Sequence, residues 1–416
     1  MHIGFPASSR FQRDAKLLLV VTALSSLSFF GIYVLIRTLY LLRLGHGPEY
    51  VGIYGAVGAL GFMFMSMPSG AMGTRLGPGP VMLVGGIIAG GGMLLLPLAE
   101  SVPTGWRDLW PLLSQAIVTI GWALLRVNVL PALMMATPAE LRHDAFALES
   151  ALRALGTLLG TVGGGALPEL LAAWSGLSVD VPGPYATTII LAAVLTILAV
   201  LPLLFVGKLA PQQEPHQDAA SDSSFPFWPI SLVVLHVFLT HGAWAVPGSF
   251  ANVYFDTVLL LSPAMIGLIT GAGQLAATVA PLLGPRISKR RGARWTLVTT
   301  SWGVGLSLLP MALIPSIAAA GASRVAGLAF AALWQPAVQL FQMDMVAPRW
   351  RGLSFGAVSL AMSLSFGVVS LVGGHIAATT GYQALFLMGM GMSTAGALLL
   401  MALLRLGILS APGGCR

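Results

Sequence analysis

Few charged residues fall inside the long apolar runs of this chain, and Arg126, Glu149 and Arg153 form the group with most chemistry in it. A charge in hydrocarbon costs about 2.5–3.5 kcal/mol on insertion scales, so it faces a partner or a water-filled cavity. Arg126 and Glu149 stand at comparable distances on either side of a loop apex near Ala139, which puts them at similar depth on adjacent antiparallel helices. Glu149 and Arg153 follow at i and i+4, on one helix face and in the favourable order. Two readings are open: residues that touch a substrate or exchange partners during a cycle, or a pair that locks two helices. Glu149 is the only acid well inside an apolar run, since Glu169 and Asp256 lie near run ends, and it is therefore the candidate proton carrier.

Other polar side chains recur at helical spacing. Trp334, Gln335, Gln339 and Gln342 share one run. His236 and His241 share another, with Trp244 one turn beyond His241. Histidine titrates near neutral pH, which suits His241 to proton transfer; a neutral, hydrogen-bonded ring is the other reading. Tyr33 and Arg37 in the first run, with Asn252 and Tyr254 in the seventh, lie toward the outer end and are expected to line a gate there. Arg37 also has the reach to snorkel to the interface.

Catalytic signatures are scarce. Gly352-Leu353-Ser354-Phe355-Gly356 fits the nucleophile-elbow pattern, but that motif needs a strand, a turn and a helix, and this copy opens an apolar helix. Neither a zinc-protease His-Glu-x-x-His nor a phosphate loop occurs. Cys415 is the single cysteine, so no disulfide or cysteine metal site forms within the chain. Met388, Met390 and Met392 face different sides of a helix and read as packing rather than a metal site. No enzyme, cofactor or metal is expected.

These side chains need elements to hold them. Of the residues 56% are hydrophobic and 8% charged, against about 25% charged in a soluble domain, too few to coat a surface in water. The apolar runs are long enough to cross about 30 Å of hydrocarbon as helices, which satisfy every backbone group within one segment. Alternating barrel patterning is absent. The expected spans are 17–42, 51–72, 81–99, 111–136, 145–172, 185–206, 228–255, 264–284, 295–314, 317–342, 353–378 and 383–405. The first follows Arg10, Arg13 and Lys16 but is too long for a signal-peptide core and has no cleavage site, so it reads as a retained span.

The net charge of +7 is not that of a nucleic-acid binder. Arg286, Lys289, Arg290, Arg291 and Arg294 crowd into one short loop, the mark of a cytoplasmic loop under the positive-inside rule, and Arg75, Arg142, Arg349 and Arg351 fall on the same side. With an even span count both termini are then cytoplasmic and the protein sits in the inner (plasma) membrane. Residues 207–227, rich in Pro, Gln, Ser and Asp, read as a cytoplasmic linker between six-span halves, 1–206 and 228–416.

The halves repeat one another. At one constant shift Pro48, Gly52, Gly58, Leu60 and Gly77 meet Pro263, Gly267, Gly273, Leu275 and Gly292. At a second, Arg142, Phe146, Gly164 and Gly165 meet Arg351, Phe355, Gly373 and Gly374. Ordered matches with one change of shift imply an all-α membrane protein of twelve transmembrane helices in two pseudo-symmetric six-helix bundles, parallel repeats about an axis along the membrane normal.

On these residues the chain resembles the major facilitator superfamily over nearly its whole length. Gly70, Arg75 and Gly77 match the family's gating loop between spans 2 and 3, where Thr74 replaces its Asp and Pro78-Gly79 its basic pair. Arg349-Trp350-Arg351-Gly352, Phe355-Gly356, Gly373-Gly374 and the stretch Gly381 to Phe386 resemble its span-11 region, and Arg324 to Gly327 its span-10 motif. Gly156, Gly160, Gly164 and Gly165 resemble the glycine motif of the family's exporters, with Thr161 in place of Pro. The span-4 and span-5 charge pair is similar to that of the family's sugar permeases, with the signs reversed.

The resemblance implies a secondary transporter working by alternating access on a gradient. The leading expectation is proton-coupled efflux of an amphipathic or drug-like compound, by a monomer. The alternative is uptake or exchange of a polar solute, an organic anion or sugar, or facilitated uniport. Arg37, Arg126, Arg153 and Arg324 outnumber Glu149, which favours anions.

Overall fold

The computed structural model describes residues 11–207, 209, 227–346 and 350–406. Most of the 207–227 linker, with Arg349 and Cys415, lies outside them, as do the side chains of Arg286, Lys289, Arg290 and Arg291. Among the described residues twelve helices are long and apolar enough to cross a membrane. They are α1 Arg13–Arg43, α2 Pro48–Leu76, α3 Pro78–Glu100, α4 Leu109–Met135, α5 Ala139–Ser175 and α6 Gly183–Phe205. The second six are α7 Phe227–Thr257, α8 Pro263–Leu282, α9 Arg294–Leu313, α10 Ile317–Met343, α11 Arg351–Thr379 and α12 Tyr382–Arg405. All twelve expected spans are present, and no strand occurs among the described residues.

Local sequence sets the helix ends. Pro48, Pro78 and Pro263 open α2, α3 and α8, a position where the missing N–H costs nothing. Ser316 caps α10, its hydroxyl accepting from the Ala319 N–H at 3.2 Å. Gly77 (φ 87°) breaks α2 from α3, and its repeat mate Gly292 (φ 79°) does the same ahead of α9. A Cβ is disfavoured there by roughly 1–2 kcal/mol. Gly77→Ala is expected to lower stability by about that amount, whereas Gly79→Ala, with no atom within 4 Å of the added carbon, should be silent. Thermal unfolding of the purified variants compares the two, and equal midpoints would remove the role of the left-handed turn.

Contacts divide the chain into two compact units. The first comprises Met1–Gly45, Val57–Glu214 and Ser262–Gly271; the second His46–Ala56, Pro215–Leu261 and Ala272–Arg416. Glycines draw helices together inside the first. A Cβ on Gly31 of α1 would lie 2.5 Å from Gly160 Cα on α5, and those on Gly85 and Gly121 would collide with the facing α4 and α3 backbones. Close approach of this kind replaces the hydrophobic drive that lipid removes. Leu27–Tyr33 of α1 is wound as a π-helix, and Phe29 there stacks on Trp122 of α4 with ring centroids 3.8 Å apart.

The second unit packs α7 against α11 and α12 around Val237, Leu297, Trp334, Phe341 and Leu400. Single hydroxyls stitch it: Ser365 donates to the Phe238 carbonyl at 2.6 Å and Ser393 to that of Ser301 at 2.7 Å.

Each unit also takes in one helix start from the opposite half of the sequence. In the first, a Cβ on Gly165 of α5 would lie 2.7 Å from the Pro263 carbonyl oxygen and 2.8 Å from Gly267 Cα. In the second, a Cβ on Gly374 of α11 would lie 2.9 Å from the Pro48 carbonyl oxygen, and one on Gly52 3.0 Å from Gly374 Cα. The residues in these two contacts are repeat mates, so the internal repeat of the sequence returns as one backbone contact made twice.

Candidate functional site

The charged group of the first unit forms where α4 and α5 meet. Arg126 Nη1 lies 3.7 Å and Arg153 Nε 3.6 Å from the same oxygen, Glu149 Oε1. The other carboxylate oxygen accepts from the Ser150 hydroxyl at 3.4 Å. Glu149 is sealed, with 3% of its side chain exposed, while the arginines keep 27% and 38% open. A charge-assisted pair closes to about 2.7–2.9 Å, so these contacts are long. Glu149 Oε1 and Arg153 Nε accordingly count as buried atoms without a hydrogen-bond partner. The sequence placed these three residues together, and they are together.

The first unit has a second polar link, between α1 and α4. Arg37 on α1 donates to Gln115 Oε1 on α4 at 3.1 Å and sits 5.4 Å from the Tyr33 ring centroid. Gln115 is buried and packs beside Gly58 of α2, where a Cβ would strike its amide. Tyr33 is fully buried beside Arg37. Arg37 is tied to a partner helix rather than reaching for the interface. In sequence Gln115 is a lone amide within an apolar run.

The second unit has a comparable link between α7 and α10. Arg324 donates through Nη1 to the Pro247 carbonyl at 3.1 Å. His236 is fully buried with Nδ1 2.8 Å from the Gly396 carbonyl oxygen, and so takes the structural role. His241 sits 5.2 Å from the Trp244 ring and 6.5 Å from that of Trp334, with Nδ1 lacking a partner. Trp334 is buried, and its Nε1 and the Oδ1 of buried Asn252 also lack partners. The polar series on α10 divides. Trp334 and Gln342 point inward, Gln342 donating to the Ser354 carbonyl at 3.3 Å, whereas Gln335 and Gln339 are exposed.

The stretch that resembles the family's gating loop is sorted by sterics. Gly77 carries the left-handed turn, and Gly73 faces the Asn128 side chain so closely that no Cβ fits. Gly70 has only Val127 at 3.9 Å, and Arg75 is exposed. Asn128 donates to Ser69 Oγ at 3.0 Å, joining α2 to α4. Only packing tells Gly73 and Gly70 apart.

The arrangement of helices recurs in solved structures. A bacterial homologue of the human lysosomal transporter Spinster superposes with TM-score 0.74 at 15% identity, covering 96% of this chain and 98% of that one. The peptide transporter POT in complex with alafosfalin gives 0.73 at 15%, covering 98% and 99%. The nucleoside transporter NupG gives 0.72 at 14%, covering 95% and 100%. No curated protein matches the chain in sequence. Residues 233–411 match the family model of the Major Facilitator Superfamily. The second half of the chain carries the Major Facilitator match, and the chain as a whole has the fold of these solved transporters.

The first unit holds a charged triad, and the second an aromatic cluster of His241, Trp244 and Trp334. The Gly-x-Ser-x-Gly match falls to structure: Ser354 Oγ is buried on α11 and taken up by Gln342 at 3.3 Å.

Proposed function

We propose that this transporter carries a small amphipathic organic solute by alternating access, coupled to protons, and moves it out of the cell. The observation that carries the reading is the triad: a sealed carboxylate beside two partly exposed arginines inside the membrane-spanning part of the chain. A carboxylate so placed is costly unless used, and intramembrane ionisable residues mark ion and substrate paths. Glu149 is the proton carrier in this reading, with His241 the second candidate. Arg126, Arg153, Trp244, Asn252, Trp334, Gln335 and Gln339 contact substrate, and Gly70, Arg75 and Gly77 serve the cytoplasmic gating turn. Export rests on the glycine series of α5, and the similar solved structures are of transporters of nucleosides and peptides and of a lysosomal transporter homologue. Both termini are cytoplasmic, with 207–227 linking the halves.

The test is transport in proteoliposomes with a compound found by a ligand-stabilisation screen. An imposed proton gradient should drive accumulation, and an uncoupler should abolish it while solute exchange continues. Accumulation indifferent to the uncoupler would remove proton coupling, and no exchange at all would remove the transport assignment for that compound. Uptake or exchange of an anion is the second reading, favoured by two arginines facing one acid.

A further inference from the structure

We infer that the Arg126–Glu149–Arg153 group is an anion site with a built-in competitor: the two guanidiniums receive the carboxylate of an organic anion, and Glu149 occupies them when it is absent. This rests on the reading of the triad as a substrate site, and it names the substrate class of that site.

Three features of the geometry lead there. The charges do not cancel: two guanidiniums and one carboxylate leave one positive charge in a membrane-spanning region. Uncompensated charge of this kind is expensive in hydrocarbon, and a bound monoanion neutralises it. Second, both arginines address one oxygen, Oε1, at 3.7 and 3.6 Å. A guanidinium carries five N–H donors in a planar fork suited to two-point recognition of a carboxylate. One distant oxygen shared between two forks uses little of that capacity. Third, access is one-sided. Glu149 is 3% exposed, the arginines 27% and 38%, so the accessible surface of the group belongs to the arginines and not to the acid.

A locking pair would look different. It would close to two short parallel hydrogen bonds and leave no spare charge. Here Glu149 Oε1 and Arg153 Nε remain without hydrogen-bond partners. Glu149 therefore holds the forks loosely and yields them to a second carboxylate. The same competition lets the anion leave again, because the departing carboxylate is replaced by a resident one rather than by nothing.

The test is binding to the purified full-length transporter, using sodium benzoate, with benzamide and benzylamine hydrochloride as neutral and cationic counterparts and sodium chloride at matched ionic strength. Benzoate alone should stabilise the wild type against thermal unfolding. Glu149→Gln should bind benzoate about ten-fold more tightly, because the competitor is gone, while Arg153→Gln and Arg126→Gln should lose the benzoate response. Arg153→Gln also covers the case in which Glu149→Gln fails to fold, since it removes the excess charge and leaves the acid paired. Stabilisation by benzamide or benzylamine equal to that by benzoate overturns the anion class. So does weaker benzoate binding by Glu149→Gln, or an undiminished response in Arg153→Gln. Failure of the underlying reading shows separately: all three variants would then transport the screened compound at wild-type rates.

Discussion

Glu149→Gln is expected to be the most damaging single charge change in the chain. It removes the carboxylate and leaves Arg126 and Arg153 facing each other with no counter-charge between them. Breaking a buried pair from one side costs about 3–5 kcal/mol, and the partial exposure of the arginines puts this case near the lower figure. Less folded protein should reach the membrane, and the purified variant should unfold several degrees earlier. Adding Arg126→Gln to it returns the group to the wild-type excess of one positive charge. That double variant should recover yield and melting temperature, because the cost came from uncompensated charge and not from lost shape. It should not recover transport, because a fork and its competitor are both gone. An unchanged melting temperature in the single variant would show that the pair bears no weight. Normal transport by the double variant would reduce the group to a structural one.

The second large effect is expected at the paired glycines. A Cβ on Gly52 would strike the Ser370 carbonyl oxygen, and one on Gly165 would come within 2.7 Å of the Pro263 carbonyl oxygen. Backbone cannot turn aside as a side chain can, so the helices must separate. Overpacking of this sort costs about 1–3 kcal/mol. Gly52→Ala and Gly165→Ala should each slow transport at least ten-fold, since about 1.4 kcal/mol placed on the transport cycle suffices for that. The controls lie on the same faces of the problem: Gly163 on α5 and Gly47 just before α2 have nothing within 4 Å of an added carbon. Initial transport rates per molecule of reconstituted protein measure the difference. Rates equal to those of Gly163→Ala and Gly47→Ala would show that the tight seats at Gly52 and Gly165 are dispensable.

The contrast between Gly52 and Gly47 marks where reading by residue type stops. Both are glycines near the same helix start, yet one lies on backbone and the other in open space. The repeat did distinguish them: Gly52 has a mate in Gly267 and Gly47 has none in the matched series. Two occurrences of one contact are visible in sequence because each copy needs the same absent side chain. Gly73 has no such echo in that series, and its contact with Asn128 appears only once α2 and α4 are packed.

Polar residues show the same division. Arg126, Glu149 and Arg153 could be joined on paper because a short loop and one helical turn separate them, and local geometry then fixes depth and face. Arg37 and Gln115 lie 78 residues apart, and nothing short-range relates them. Nor does spacing alone say which way α10 is turned, so Trp334 and Gln342 go inward while neighbouring Gln335 and Gln339 stay exposed.

By itself the sequence determined the twelve spans, the all-helical class and the internal repeat, because hydrocarbon solvation and backbone hydrogen bonding are set within about 20 consecutive residues. Tertiary structure alone decided how far Glu149 is sealed, how loosely its two arginines hold it, which glycines are pressed against backbone and which amide receives Arg37. Those are matters of helix rotation and of neighbours distant along the chain. A difference of one angstrom or of a few tens of degrees changes them without altering any apolar run.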